Sequence, residues 1–197
     1  MTAEQQTGAA TAPQTGASTW ALDPAHTLVE FAGRHMMVTT VKGRFKGVRG
    51  TITIDEADPD RSTVEAELDA ASLDTGNEQR DAHLKSPDFL NVEQFPTITF
   101  NSTRVERAAH DHYKMTGDLT IRNVARPVTL DVVYSGQAKD PMGGVHAGFS
   151  AHTSINRKDW GLTWNVALET GGFLVGEEVK LALEVEVVKA AEVAAVA

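Results

Sequence analysis

Residues Thr75–Phe89 have the sequence TGNEQRDAHLKSPDF, and the composition of this segment is typical of a helix, unlike that of the chain around it. Asn77 is a favoured N-cap residue, and Glu78–Lys85 consists mostly of good helix formers. Pro87 disfavours helical backbone at Ser86 and so ends the run. The segment therefore predicts one short internal helix.

The predicted helix is too polar to belong to a hydrophobic core, since Ala82 is the only small apolar residue within it. Asp81 and Lys85 have the i,i+4 spacing and the orientation that favour pairing. Arg80 and His83 lie about one turn apart and can share a face. A polar helix of this kind is expected to cover one end of a sheet structure.

Most of the remaining chain alternates apolar and polar residues with period two, as in TVEAELD, which predicts strands with one apolar face. Short connections between these segments favour antiparallel pairing. A short strand is expected at Thr19–Asp23, anchored by Trp20. The eight long predicted strands are Thr27–His35, Val41–Asp55, Ser62–Leu73, Pro96–Glu106, His112–Arg122, Arg126–Ala138, Val145–Asn156 and Glu177–Lys189.

Strand length favours a barrel over a sandwich. A strand of ten to twelve residues spans about 35–40 Å, and closure into a barrel removes the exposed edges. Within Val41–Asp55 the small and apolar residues hold odd positions up to Phe45 and even positions from Val48 onward. Such a change of strand face predicts a bulge or sharp bend. The sequence thus predicts an all-β fold, an extended eight-stranded antiparallel lipocalin-like β-barrel with a short capping helix.

Length and composition limit the domain organisation and the function. The chain of 197 residues is predicted to contain one barrel domain at 19–189, with a disordered arm at 1–18 and a tail at 190–197. The chain has no cysteine, and its net charge of −9 argues against a nucleic-acid partner. The first 18 residues do not resemble a secretion signal, and no apolar stretch reaches the roughly 18 residues of a spanning helix. We therefore expect a soluble, cytoplasmic protein with at most peripheral membrane contact.

The interior of the predicted barrel combines small and large residues. Gly43, Ala66, Gly117 and Ala151 share the inward parity with aromatic residues such as Phe100. Small residues make room either for neighbouring aromatic rings or for a ligand. An eight-stranded barrel can be filled by side chains or hold one small ligand, and the pattern alone leaves both open.

Four longer stretches resemble the YceI-like family of polyisoprenoid-binding, lipocalin-like bacterial proteins. They are WALDPAHTLVEFAGRHMMVTTVKGRF at Trp20–Phe45, LDTGNEQRDAHLKSPDFLNVEQFPTITFNST at Leu73–Thr103, GDLTIRNVARPV at Gly117–Val128 and INRKDWGLTWN at Ile155–Asn165. The resemblance covers roughly Trp20 to Val188, and RDAHLKSPDF followed by FPTITF is its most specific part. Asn123 stands where the family usually has glycine, and asparagine is the next best residue for a left-handed backbone.

The resemblance implies an apolar barrel interior that takes an isoprenoid-type lipid, such as a polyprenyl phosphate, a quinone or a similar amphiphile, with its head-group at a mouth. No other cofactor is implied. The interior ligand-binding residues are predicted to be Phe31, Phe45, Leu68, Phe100, Met115, Leu119, Leu130, Phe149, Trp164 and Leu183. The residues predicted at the rim or head-group are Arg80, His83, Asn156 and Arg157.

The polar residues of the helix admit two roles. In the first, Arg80 and Asp81 tie the helix to the barrel and His83 fills a hydrogen-bonded niche. In the second, Arg80 and His83 face the mouth and contact a phosphate or quinone oxygen.

A metal site and a catalytic site have weaker support. His110 and His112 have a chelating spacing but lack a third ligand at an informative distance in sequence, so no metal site is predicted. No nucleophile motif is present, so no catalytic residue is predicted. The sequence predicts non-catalytic lipid binding, transport or storage; the alternatives are an enzyme acting on an isoprenoid lipid, or a ligand-free structural protein that dimerises. A homodimer is possible under each.

Overall fold

The computed structural model describes residues 16–169 and 171–190. The predicted N-terminal arm and C-terminal tail lie almost wholly outside these residues. The strands are β1 (Ser18–Leu22), β2 (Leu28–His35), β3 (Thr39–Phe45), β4 (Val48–Ile54), β5 (Thr63–Asp69), β6 (Leu73–Asp74), β7 (Thr97–Ala109), β8 (His112–Ile121), β9 (Val124–Lys139), β10 (Val145–Asn156) and β11 (Val175–Lys189). The one α-helix among the described elements is α1 (Glu78–Lys85).

Eight strands close into a ring in the order β1, β4, β5, β7, β8, β9, β10, β11, with β11 returning to β1. Every pairing is antiparallel, so the predicted all-β, eight-stranded barrel with one helix is confirmed. The closing seam is short, because β1 and β11 pair only at Trp20–Lys189, Ala21–Val188 and Leu22–Val187. β11 also pairs with β2, so β2, β3 and β6 continue the wall toward the end that carries α1.

The prediction of one strand over Val41–Asp55 is wrong. The chain leaves β3 at Phe45 and enters β4 at Val48, and the two strands have different partners. β3 pairs with β2 and β6, whereas β4 pairs with β1 and β5. A Cβ on Gly47 would lie 2.9 Å from the Cβ of Asp69, so the bend requires glycine at this close approach. The parity switch in the sequence marks this corner.

Local chemistry sets the ends of α1 as predicted. The Asn77 side chain accepts a hydrogen bond from the Arg80 backbone N–H at 2.9 Å, and Ser86 forms the C-cap. The expected Asp81–Lys85 pair is not formed, because the Asp81 carboxylate instead accepts hydrogen bonds from the backbone N–H and hydroxyl of Thr75. No helix in residues 16–169 and 171–190 has the length and apolar character needed to cross a bilayer.

Two apolar clusters lie toward the two ends of the barrel. The cluster near α1 centres on Phe89, Leu119, Ile121, Trp160 and Leu162. The cluster at the opposite end centres on Trp20, Ala147 and Val187. Trp160 is buried, and its indole N–H donates to the Leu119 carbonyl at 3.0 Å, so it fixes the end of the 3₁₀ turn Arg157–Trp160 against β8.

Some of the small inward residues make room for aromatic rings, and others face open space inside the barrel. A Cβ on Gly117 would lie 2.5 Å from the Phe100 ring, and one on Gly43 would lie 2.3 Å from the Phe31 ring, so these glycines make room for aromatic side chains. Ala66 and Ala151, in contrast, line open interior space.

Candidate functional site

A cavity of about 990 Å³ runs through the barrel between the two apolar clusters. Its volume lies at the upper end of the range for pockets that bury small ligands. Many inward apolar side chains, including Phe31, Phe100, Met115 and Leu183, are only half-buried although they point into the barrel. They remain accessible because they face this internal space.

The structure brings all ten predicted interior residues to the cavity wall. They are Phe31, Phe45, Leu68, Phe100, Met115, Leu119, Leu130, Phe149, Trp164 and Leu183. They share the wall with apolar residues that the sequence analysis did not single out, among them Val64, Val105, Val132 and Leu181. Period-two patterning is the sequence signal that identifies these additional positions.

The two ends of the cavity differ in polarity. Arg80 and Arg157 line the end near α1. Asp55, Glu56 and Asp111 line the opposite end together with Arg107, where β4 finishes and where β7 turns into β8. The cavity is therefore an apolar channel with a cationic end near α1 and an opposite end where three carboxylates lie with one arginine.

Arg80 holds the chain that leads into α1. Its Nε donates to the Thr75 hydroxyl at 2.8 Å and its Nη2 donates to the Thr75 carbonyl at 3.0 Å. Thr75 donates in turn to Asp81, so Arg80, Thr75 and Asp81 form one network. This geometry supports an anchoring role, and the guanidinium also reaches the cavity wall.

His83 lies between a carboxylate and two aromatic rings. Its Nε2 is 2.9 Å from an Asp88 carboxylate oxygen, which fixes the orientation of the imidazole. The ring meets Trp164 and Phe89 edge-on, at centroid distances of 4.5 and 5.1 Å. His83 and Trp164 both line the cavity, so α1 and the segment after the 3₁₀ turn Arg157–Trp160 meet at this end.

Arg157 is a buried charge, with 5% of its surface exposed. Its Nε donates to the Gly176 carbonyl at 2.9 Å, Nη2 to Val175 at 3.4 Å, and Nη1 to Leu162. Its guanidinium carbon lies 5.9 Å from the centre of the Phe89 ring. Desolvation by burial lowers the pKa of Arg157, and the group stays charged because guanidinium deprotonates only at very high pH.

Asn156 does not share this position, although it precedes Arg157 in sequence. Its side-chain oxygen accepts a hydrogen bond from the Lys158 backbone N–H at 3.0 Å, so it caps the 3₁₀ turn, and it is not among the residues that line the cavity. The structure therefore brings Arg80, His83 and Arg157 together and leaves Asn156 outside. Thr75 and Asp88, which orient Arg80 and His83, were not singled out from the sequence.

The two histidines with chelating spacing lie far from this site. His110 and Asp111 form the exposed turn between β7 and β8, where the His110 Nδ1 is 2.6 Å from the Asp111 carboxylate. His112 begins β8 and is exposed.

The fold and the cavity define a class: closed antiparallel β-barrels that enclose an apolar internal cavity. Within that class the chain belongs to the YceI-like family, whose family model, described as the YceI-like domain, matches residues 20–187.

The comparisons with individual proteins agree with this assignment. The chain is 38% identical over 161 residues to Protein YceI of Salmonella newport, an alignment that covers 82% of this chain and 81% of the relative. It is 31% identical to the YCEI protein of Campylobacter jejuni, whose crystal structure matches with a TM-score of 0.68 over 81% of this chain and 90% of the neighbour. A polyisoprenoid binding domain from Saccharophagus degradans, implicated in plant cell wall breakdown, shares the fold with a TM-score of 0.63 at 13% identity, over 87% of this chain and 98% of that one.

Proposed function

We propose that this protein binds an isoprenoid-type lipid, such as a polyprenyl phosphate, a quinone or a similar long-chain amphiphile, inside the barrel and without catalysis. The observation that carries the proposal is the continuous 990 Å³ cavity, whose wall includes ten half-buried or buried apolar residues predicted from the sequence. Burial of each methylene contributes about 0.8 kcal/mol. A long chain therefore binds tightly there without directed polar contacts.

The description of the Saccharophagus degradans neighbour as a polyisoprenoid binding domain supports the ligand class. A wall of this composition discriminates poorly between chains that differ by one carbon, because each carbon adds only a small apolar contribution. Selection for the length of the lipid and for its head-group therefore takes place mainly at the ends of the cavity.

We propose that the head-group lies at the end that carries α1. Arg80 and Arg157 line the cavity there, and guanidinium groups suit phosphate and other oxygen acceptors. His83 adds an imidazole to the same end. The opposite end, where Asp55, Glu56 and Asp111 outnumber Arg107, suits an anionic head-group less well.

An exposed apolar surface lies beside the cationic end of the cavity. We propose that the protein exchanges its lipid with a bilayer through this surface. We name this surface the apolar rim. It consists of Met36, Met37, Val38, Val166 and Phe173, whose exposed fractions range from 43% to 74%. They account for five of the six large apolar residues exposed within residues 16–169 and 171–190. The Met36 backbone N–H donates to the Leu174 carbonyl at 2.8 Å, which joins the two loops.

The backbone of the apolar rim supports a function at this position. Met36 and Met37 have φ values of 51° and 59° at the tip of the β2–β3 hairpin, where glycine or asparagine is normally preferred. Two exposed methionines in the left-handed region cost stability that a polar turn avoids. His35 and Leu174, which neighbour the apolar rim, line the cavity. The rim is thus suited to insert into a membrane surface at the ligand's entrance.

Native mass spectrometry with lipid extraction after gentle purification tests the proposal against its alternatives. The proposal predicts a co-purifying long-chain lipid that is released unchanged. Conversion of that lipid during incubation would instead indicate an enzyme. An empty protein at the mass of a dimer would indicate the structural alternative. The cytoplasmic location remains a prediction, which fractionation of the native cells tests.

A further inference from the structure

A cluster of carboxylates and imidazoles lies on the outer face of the barrel, at the seam where β1 closes against β11. We name it the seam cluster; its members are Asp23, His26, Asp140, His146 and Glu186. Asp23 follows β1, His146 is the second residue of β10, and Glu186 lies near the end of β11. These residues are far apart in sequence, and the barrel brings them together.

The seam cluster has the spacing of a metal site. One ligand atom each from Asp23, His146 and Glu186 lies within 4.8 Å of the other two. The His146 Nδ1 is 2.7 Å from the Glu186 Oε1, and the His26 Nδ1 is 2.9 Å from the Asp23 Oδ2 and 3.7 Å from the same Glu186 oxygen. Tetrahedral Zn²⁺ with bonds of about 2.0–2.1 Å separates its ligands by about 3.3 Å. Small side-chain movements therefore admit the ion.

The charge balance of the seam cluster also favours a cation. The seam cluster contains three carboxylates and two imidazoles. Its carboxylates form their ion pairs with His26 and His146. Elsewhere on the surface, Asp131 and Glu177 pair with lysines, which cannot act as ligands while charged.

Asp140 is placed to orient His146 as a ligand. Its Oδ2 lies 2.9 Å from the His146 Nε2, while its Oδ1 accepts hydrogen bonds from the backbone N–H groups of Met142 and Gly144 at 2.7 and 3.0 Å. A carboxylate behind an imidazole is the usual outer partner of a metal-bound histidine, because it fixes the tautomer and the ring orientation. The Nδ1 then faces Glu186 and Asp23.

The geometry points to a divalent transition-metal site of the Zn²⁺ type at the seam cluster, with Asp23, His146 and Glu186 as ligands, His26 as the adjacent fourth group and Asp140 as the positioning residue. An imidazole with two carboxylates suits Zn²⁺ better than Mg²⁺, which prefers oxygen ligands alone. The bound ion joins β1, β10 and β11 across the three-residue seam, so it stabilises barrel closure. This inference is independent of lipid binding.

Isothermal titration calorimetry of the chelator-treated, untagged full chain with ZnCl₂, together with thermal melts, tests the site. We expect one Zn²⁺ per chain, a higher melting temperature with Zn²⁺, and much weaker binding of MgCl₂. His146→Gln and Glu186→Gln should each weaken Zn²⁺ binding at least tenfold. Glu186→Gln keeps the side-chain shape, so a loss of affinity in this folded variant reports on the carboxylate.

His152→Gln is the matched control. His152 also points outward from β10 and lies 4.0 Å from a carboxylate, that of Asp131. Its replacement should leave Zn²⁺ affinity unchanged. The inference is overturned if the wild-type chain shows no saturable binding, if His146→Gln and Glu186→Gln bind as the wild type does, or if His152→Gln loses as much affinity as they do.

Discussion

The imidazole of His83 meets the indole of Trp164 edge-on, with ring centroids 4.5 Å apart and planes at 90°. His83 belongs to α1, whereas Trp164 follows the 3₁₀ turn Arg157–Trp160, so this contact joins the two segments that close one end of the barrel. Edge-to-face aromatic pairs contribute about 0.5–1.5 kcal/mol beyond the burial of their surface. The contact therefore sets how firmly this end is closed.

Replacing His83 with alanine should lower the melting temperature by a few degrees, because the aromatic contact and the hydrogen bond to Asp88 are both lost. Release of a bound prenyl lipid should also become faster, since α1 is held less firmly. Melts and stopped-flow displacement measure these effects. The exposed His152→Ala serves as the control, and equal stability and release rates in both variants would contradict a closing role for His83.

Arg80→Ala separates anchoring from head-group recognition. We expect the melting temperature to fall by several degrees, because Arg80 donates two hydrogen bonds to Thr75. We also expect the affinity for a prenyl phosphate to fall roughly tenfold, equivalent to about 1.4 kcal/mol, while the matching prenyl alcohol binds as before. Titrations with the two lipids provide the comparison. An equal loss for both lipids would rule out a phosphate contact, and an unchanged melt would rule out anchoring.

The apolar rim predicts binding to vesicles. Met37→Ser combined with Val38→Ser should reduce co-sedimentation with phosphatidylcholine–phosphatidylglycerol vesicles several-fold, because the most exposed part of the hairpin becomes polar. Met142→Ser is the control, since Met142 is 97% exposed in the β9–β10 hairpin at the opposite end. Equal losses in both variants would contradict a localised contact. A change from dimer to monomer in the double variant, with unchanged vesicle binding, would identify the rim as a subunit interface instead.

The parts of the fold governed by local chemistry could be predicted from the sequence. Asn77 caps α1 as expected, and Asn123 adopts the positive φ of 58° that its place in the β8–β9 turn requires. Period-two patterning identified the cavity wall, because alternate residues of a strand face the same side. The resemblance to a known family favoured an open interior over one filled by side chains, which patterning alone left undecided, and the structure has a cavity there.

The features that depend on long-range pairing were missed. The parity switch between Phe45 and Val48 predicted a bend but not that β3 and β4 have different partners. The seam cluster joins Asp23, which follows β1, with His146 of β10 and Glu186 of β11, and no spacing in the sequence relates them. Asn156 and Arg157 are adjacent in sequence, yet one caps a turn and the other lines the cavity, because the chain turns sharply between them.

Ala151→Trp tests the ligand chamber itself. Ala151 lines the cavity beside Leu183, its cross-strand partner in β11, and is half-buried, so an indole at this position occupies space that the lipid needs. Ala147 is a poorer choice, because it is buried against Trp20 and Val187 and added bulk there would disturb the core. Ala182→Trp is the matched control, since Ala182 neighbours Leu183 in β11 but is exposed on the outer face.

The most direct measurement is therefore the titration of wild-type, Ala151→Trp and Ala182→Trp proteins with a fluorescent prenyl lipid, after melts have shown that all three are folded. The account predicts saturable binding to the wild type, an affinity at least tenfold lower for Ala151→Trp, and wild-type affinity for Ala182→Trp. Equal affinity of the two folded tryptophan variants would contradict lipid binding inside the barrel.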